Sequence, residues 1–120
     1  MAPMLHVELA DVDRIDFGGL AIADLTAGMS LSASIAQIEV PPGAAHIKAK
    51  STKSDKYYLC TEGTVAFDCQ GKQVLLVAPS LLVIPANEWF EYTNDSNETA
   101  RLTLVHVPPF DPDAEVFADQ

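Results

Sequence analysis

The sequence predicts an all-β domain of the sandwich or barrel class, on three observations. Apolar residues recur with a period near two almost everywhere, clusters of turn-forming residues punctuate the chain from Gly18 to Asn97, and the intervals between those clusters are strand-length. Many short strands at regular spacing pack as two sheets or close into a barrel.

In order, the runs are Leu5-Val7-Leu9, Leu20-Ile22, Ser34-Ala36-Ile38-Val40, Tyr58-Cys60 with Val65-Phe67, Val74 to Val77, Leu81 to Ile84, and Leu102-Leu104. Each is rich in residues that fit a pleated, half-buried surface. Between them lie Gly18-Gly19, Pro41-Pro42-Gly43, Thr61-Glu62-Gly63, Gln70-Gly71-Lys72, Pro79-Ser80, Pro85-Ala86-Asn87 and Asn94-Asp95-Ser96-Asn97. Cys69-Gln70-Gly71-Lys72 predicts a tight hairpin, because Gly71 accepts the positive φ that two-residue loops demand. Only the end differs: Asp111-Pro112-Asp113-Ala114-Glu115 has a capping acid, a first-turn proline and further acids, the start of a short helix.

Length fits one domain over residues 1–120, with a core at 35–107 and a tail at 108–120, and no linker or repeat divides it. At 48% apolar and 20% charged residues, the composition is that of a globular protein. The net charge of −10 repels polyanions and argues against nucleic acids and anionic membranes as partners. Met1 to His6 lacks the basic and apolar regions of a secretory leader, and no stretch reaches the ~20 apolar residues of a membrane span, so a cytoplasmic location is expected. Cys60 and Cys69, without CxxC spacing, read as free thiols. Four of the seven basic residues, Lys48, Lys50, Lys53 and Lys56, fall in one short stretch.

Pro41-Pro42-Gly43, the segment from Ala49 through Lys56 to Glu62-Gly63, and Pro85-Ala86-Asn87 to Phe90 and Asn94 together resemble the two halves of the cupin signature. The resemblance implies a jelly-roll (double-stranded β-helix) barrel with a short C-terminal helical turn; a lipocalin-like barrel is the rival and fits the proline corner less well. It also implies that the family's metal ligands fall on Ala49, Ser51, Lys56 and Phe90, none of which holds a metal. No metal and no other cofactor is therefore expected. His6, His46 and His106 come from separate runs and lack metal-ligand spacing.

If the ligand positions face inward, alternation along each strand turns Ile47, Ala49 and Ser51 inward, with Lys56, Tyr58 and Cys60 on the next strand and Glu88, Phe90 and Tyr92 on a third. His46, Lys48 and Lys50 then face out. An ammonium at position 56 loses solvation inside a barrel and needs a partner or a task; Glu88, Glu91 and Glu62 are the expected partners. Tyr58 and Glu88 are its expected companions in catalysis, and Ala49, Ser51, Phe90, Tyr92 and His106 the expected ligand-binding residues.

Two functions stay open on the sequence. One is a metal-free binder of a small anionic or carbonyl-bearing molecule. The other is a cofactor-independent lyase, isomerase or cyclase that uses Lys56, Tyr58 and Glu88 as acid–base groups. A closed barrel acting only as a dimeric accessory subunit is a third, and a homodimer through the Leu5-Val7-Leu9 edge is expected. P-loop, GxGxxG and GxSxG motifs are absent from the sequence.

Overall fold

The computed structural model of the chain describes residues 4–118; the first three residues, read above as part of a leaderless start, and the last two of the expected tail lie outside the described residues. The strands in chain order are β1 (Ile15–Phe17), β2 (Leu20–Asp24), β3 (Ser34–Val40), β4 (Ala45–Ser51), β5 (Asp55–Glu62), β6 (Thr64–Cys69), β7 (Lys72–Val77), β8 (Ser80–Ile84), β9 (Phe90–Thr93), β10 (Ala100–Val107) and β11 (Glu115–Phe117). They form two antiparallel sheets, ordered β1-β2-β3-β10-β5-β8 and β11-β4-β9-β6-β7. This is the jelly-roll arrangement the sequence predicts, with 3₁₀ turns at Leu9–Asp11 and Pro112–Ala114.

The expected closed barrel is instead a sandwich with open edges. At the β7–β8 corner Pro79 has no N–H to donate, so β7 ends in one sheet and β8 begins in the other. The core lies between the sheets. Ala100, Leu102 and Leu104 of β10 are buried, as are Tyr58 and Cys60 of β5 and Val65 and Phe67 of β6, each two residues from the next. Cross-strand register brings Leu104 opposite Tyr58 and Leu102 opposite Cys60, so the two alternations mesh.

Turn chemistry fixes the corners. Gln70 and Gly71 have φ of 53° and 87°, and Asp68 accepts from the Gly71 N–H at 2.8 Å, closing the expected β6–β7 hairpin. Asn94 is fully buried and fully bonded: its amide donates to the carbonyls of Val40 (2.8 Å) and Glu98 (2.7 Å), while Oδ1 accepts from the Ser96 N–H and hydroxyl. Its backbone holds Gly43 and Ala44, so the proline corner and the end of β9 are one unit. Asn87, at φ 71°, supplies the left-handed residue for which the family signature uses glycine.

Three expectations are corrected. Leu5-Val7-Leu9 is not a strand: no neighbouring strand pairs with it among the described residues, and Leu5 and Val7 are exposed. The edge expected to join two copies is therefore not formed in this chain, and the sheet begins at Ile15. The tail is more than a helical turn. Asp111 caps Pro112–Ala114 as expected, but the chain then extends as β11 and pairs with β4, Glu115 opposite Ser51 and Phe117 opposite Ala49.

The third correction concerns alternation along β4. Register runs from His46↔Tyr92 to Ala49↔Phe90, three residues on β4 against two on β9, so one extra residue is accommodated as a bulge. His46 consequently faces inward together with Ala49 and Ser51, and Ile47, expected inside, is 45% exposed.

Gly63 links β5 to β6 with φ 77°, and a Cβ there would stand 2.9 Å from Ala100 Cα. Both the backbone region and the backbone contact resist a side chain. Gly63→Ala is expected to destabilise the fold by more than ~1 kcal/mol, read as a lower urea midpoint at unchanged slope.

Candidate functional site

Lys56 and His106 are register partners on β5 and β10, with side chains on the inner face. The Lys56 Nζ stands 2.8 Å from His106 Nε2 and 2.9 Å from Glu115 Oε1, and its side chain is only 4% exposed. It also lies 5.5 Å from the centroid of Phe90, within cation–π range. One ammonium thus joins β5, β10 and β11.

Burial, set against the Glu115 charge, lowers the Lys56 pKa. Burial and the neighbouring ammonium hold His106 at a pKa of about 3, so its imidazole is neutral and accepts from Lys56 through Nε2. Of the three ammonium protons, two are engaged and one remains for a ligand.

A cavity of about 230 Å³, partly open to solvent, reaches this cluster. Apolar residues make most of its wall: Phe17 and Ile22 from β1 and β2, Ala36 and Ile38 from β3, Leu104, Phe110 and Phe117. Its polar groups are Asp24, Ser34, His46, Lys56, Tyr58, His106 and Glu115.

His46 was not foreseen in the site. Its Nδ1 donates to the Ile47 carbonyl at 2.6 Å, which leaves Nε2 as the acceptor of the neutral ring. The ring is packed by Phe17, Phe90 and Tyr92 at centroid distances of 5.4, 5.1 and 5.3 Å. Burial, opposed by that backbone bond and assisted by the Lys56 charge, lowers its pKa to about 4. A neutral imidazole and a buried ammonium therefore share one cavity.

The residues expected in the site separate into two groups. Lys56, Tyr58 and His106 line the cavity together, and Phe90 meets Lys56 through its ring. Tyr58 is buried against Phe67, Phe90 and Tyr92, and burial raises its pKa, so it is a phenol and not a phenolate. Glu88 does not join them. It is half-buried in the loop before β9, away from the cavity wall, and Lys56 pairs with Glu115 in place of Glu88, Glu91 or Glu62.

Ser51 spends its Oγ on the N–H groups of Lys53 and Ser54 at 3.2 and 2.9 Å, and Ala49 packs fully buried opposite Phe90. Tyr92 lies behind His46, and its buried hydroxyl has no partner among the described residues. Among the Lys48, Lys50 and Lys53 cluster, Lys50 covers Trp89 at 4.9 Å and Lys53 pairs with Asp111 at 3.2 Å.

The metal that cupins commonly hold does not fit these residues. Two of the four ligand positions are apolar, Ser51 is engaged in a turn, and the fourth is a cation. Among the described residues no three His, Cys, Asp or Glu side chains are grouped as a metal requires.

Two measurements follow from this geometry. Lys56→Met leaves the Glu115 carboxylate buried without its cation and is expected to cost about 3–5 kcal/mol, whereas Lys56→Met with Glu115→Leu recovers most of that loss; urea unfolding of the two variants decides it. The half-buried His46 and the buried His106 both have native pKa values below their ordinary 6.5, so the unfolded chain binds more protons as pH falls. Their contribution to stability is complete above pH ~6.5 and is lost through about 4 for His46 and about 3 for His106, which imidazole NMR titration reads directly.

Comparison with known proteins agrees with the architecture. Curated protein sequences yield no match. Among solved structures, a variant of Streptomyces PAC13 with bound uridine superposes with a TM-score of 0.85 at 17% identity, over 98% of this chain and 92% of that one; Pac13 is a nucleoside dehydratase. A predicted oxalate decarboxylase of Thermotoga maritima matches with a TM-score of 0.77 at 18% identity, over 87% and 99%. A cupin-superfamily sugar phosphate isomerase of Silicibacter pomeroyi matches at 0.77 and 16%, over 97% and 83%. At these identities the likeness concerns the fold. The cupin domain family matches residues 36–106, the segment that carries β3 to β10 and the Asn94 corner, and the chain belongs to the cupin family.

Proposed function

We propose that this protein is a metal-independent lyase, which binds a small carbonyl-bearing molecule in the cavity and removes water from it by proton transfer. The observation that carries this reading is the pairing, in one largely apolar cavity, of the neutral His46 imidazole with the buried Lys56 ammonium. Binding alone has no need of a desolvated ion pair; a reaction that develops negative charge on oxygen does.

In the proposed step His46 Nε2 takes the proton from the carbon next to the carbonyl. The electron pair of that C–H bond moves toward the carbonyl oxygen, where the third Lys56 proton stabilises the enolate. Collapse of the enolate forms a C=C bond and breaks the C–O bond at the β-carbon. The departing hydroxyl takes the proton from His46 and leaves as water, so the products are an unsaturated carbonyl compound and water. An imidazole of pKa about 4 is in its basic form at neutral pH, and its conjugate acid releases the proton readily.

Glu115 favours the charged form of Lys56 against its burial, Glu115 and His106 together aim it, and Tyr58 supplies a phenolic wall. The fold-level likeness to Pac13, a nucleoside dehydratase solved with uridine, supports water elimination over isomerisation. Anionic ligands are disfavoured, because Asp24 and Glu115 outnumber Lys56 on the wall.

The test is a panel of uncharged β-hydroxy carbonyl compounds, followed by the ultraviolet absorbance of the conjugated product. His46→Gln is expected to lower turnover by about 10²–10⁴-fold while ligand-induced NMR shifts at Lys56 persist. Turnover unchanged by His46→Gln, or a panel in which no compound is converted, overturns the reading.

A further inference from the structure

The proposed reaction uses the Lys56 ammonium, held by Glu115 Oε1, and the His46 ring; it leaves the second oxygen of Glu115 without a task. Glu115 is 9% exposed at its side chain and lines the cavity. Its Oε1 accepts from Lys56, whereas its Oε2 is buried and has no hydrogen-bond partner among the described residues. A buried carboxylate oxygen left unbonded is costly, and native structures rarely keep one without a reason.

The rest of the wall points the same way. Asp24 engages Oδ1 with the N–H and hydroxyl of Thr26, which leaves Oδ2 for another donor. His46 Nε2 is an acceptor, and the Ser34 Oγ already accepts from the Phe110 N–H at 2.8 Å. Against these acceptors stand few donors: the third Lys56 proton, the Ser34 hydroxyl and the Tyr58 hydroxyl. The only full positive charge among the lining residues faces two carboxylates.

A ligand that offers only carbonyl oxygens satisfies Lys56 and leaves Glu115 Oε2 unpaired. A phosphate or carboxylate brings a further negative charge to a wall already in surplus, and like charges opposed in a desolvated site weaken binding. A hydroxyl-rich, uncharged molecule meets both demands, since its O–H groups donate to carboxylate oxygens and its carbonyl accepts from Lys56. Aromatic and aliphatic residues around them suit the flat or apolar faces of a small ring.

We propose that Glu115 is the specificity-determining residue of this cavity: its Oε2 accepts a hydroxyl of an uncharged polyhydroxylated ligand of sugar or nucleoside size, and with Asp24 it excludes the phosphorylated form of the same molecule. This rests on the cavity being the ligand site of the proposed lyase and adds the class of molecule it takes. The consequence is a protein that acts on a free sugar derivative or nucleoside, before any phosphate is attached or after it has been removed.

The test uses three probes titrated into the full chain and read by NMR shifts of the Lys56 and His46 side chains: uridine, 2′,3′-dideoxyuridine and uridine 5′-monophosphate. Uridine is expected to bind, and each of the other two to bind at least about tenfold more weakly. Asp24→Asn, which leaves the Lys56 ion pair intact, is expected to narrow the gap between uridine and its monophosphate. Glu115→Gln is expected to narrow it further and to remove the preference for uridine over the dideoxy compound. Equal binding of the monophosphate, equal binding of the dideoxy compound, or no binding of uridine overturns the proposal. If that happens while His46-dependent turnover of hydroxy carbonyl compounds persists, the lyase reading stands and the hydroxyl-recognition role of Glu115 falls; if turnover is also absent, both fall.

Discussion

An ammonium ion removed from water inside a β-sandwich is tolerated only when its charge and its N–H bonds are met, and the architecture around Lys56 meets both. The desolvation of such an ion costs several kcal/mol, which a single well-placed carboxylate and a neutral acceptor offset without leaving surplus stability. Three strands must therefore keep their relative positions: β5 carries the lysine, β10 the imidazole opposite it, and β11 the carboxylate. The ring of Phe90, from β9, lies 5.5 Å away and leaves the cavity side of the ammonium open. Both sheets contribute, so the ion pair ties together the two layers of the sandwich at its cavity end.

Around that cluster the aromatic residues play two parts. Tyr58, Phe67, Phe90 and Tyr92 form a continuous set of stacked, tilted and edge-on contacts, with centroids between 4.7 and 6.4 Å, which fills the interior behind the cavity. His46 is packed onto the edge of that set, and its backbone bond to Ile47 fixes which nitrogen is left as acceptor. The low pKa values of both imidazoles come from the same dry surroundings and the same nearby ammonium. Electrostatics and packing are thus not separable here; the rings that exclude water also set the protonation states.

How far the sequence disclosed this depends on the element. Along β10, and along β5 as far as Cys60, alternation is unbroken, and Lys56, Tyr58, Cys60, Leu102 and Leu104 face inward as period two requires. Along β4 the bulge between His46 and Ala49 breaks the count, and a histidine assigned to solvent becomes part of the cavity. Nothing in the residues His46-Ile47-Lys48 marks a bulge, because its position is set by pairing with β9. Glu115 was hidden for another reason: it is 59 residues from Lys56 in the chain, and the acids before it read as a helix start, which is correct for Pro112–Ala114 and ends one residue too early. Glu88, nearer in the signature, offered a plausible partner that the loop after Ile84 carries elsewhere.

The carboxylate and Phe117 reach the cavity from a three-residue edge strand that lies after the segment matching the family, attached to β4 by a few backbone bonds. The jelly roll is therefore built by one segment, while the counter-charge of its lysine and part of the cavity wall come from an appendage. A change at Phe117 alters the cavity wall without repacking Leu102, Phe67 or the Asn94 corner, whereas a change at Glu115 also removes the charge on which Lys56 depends.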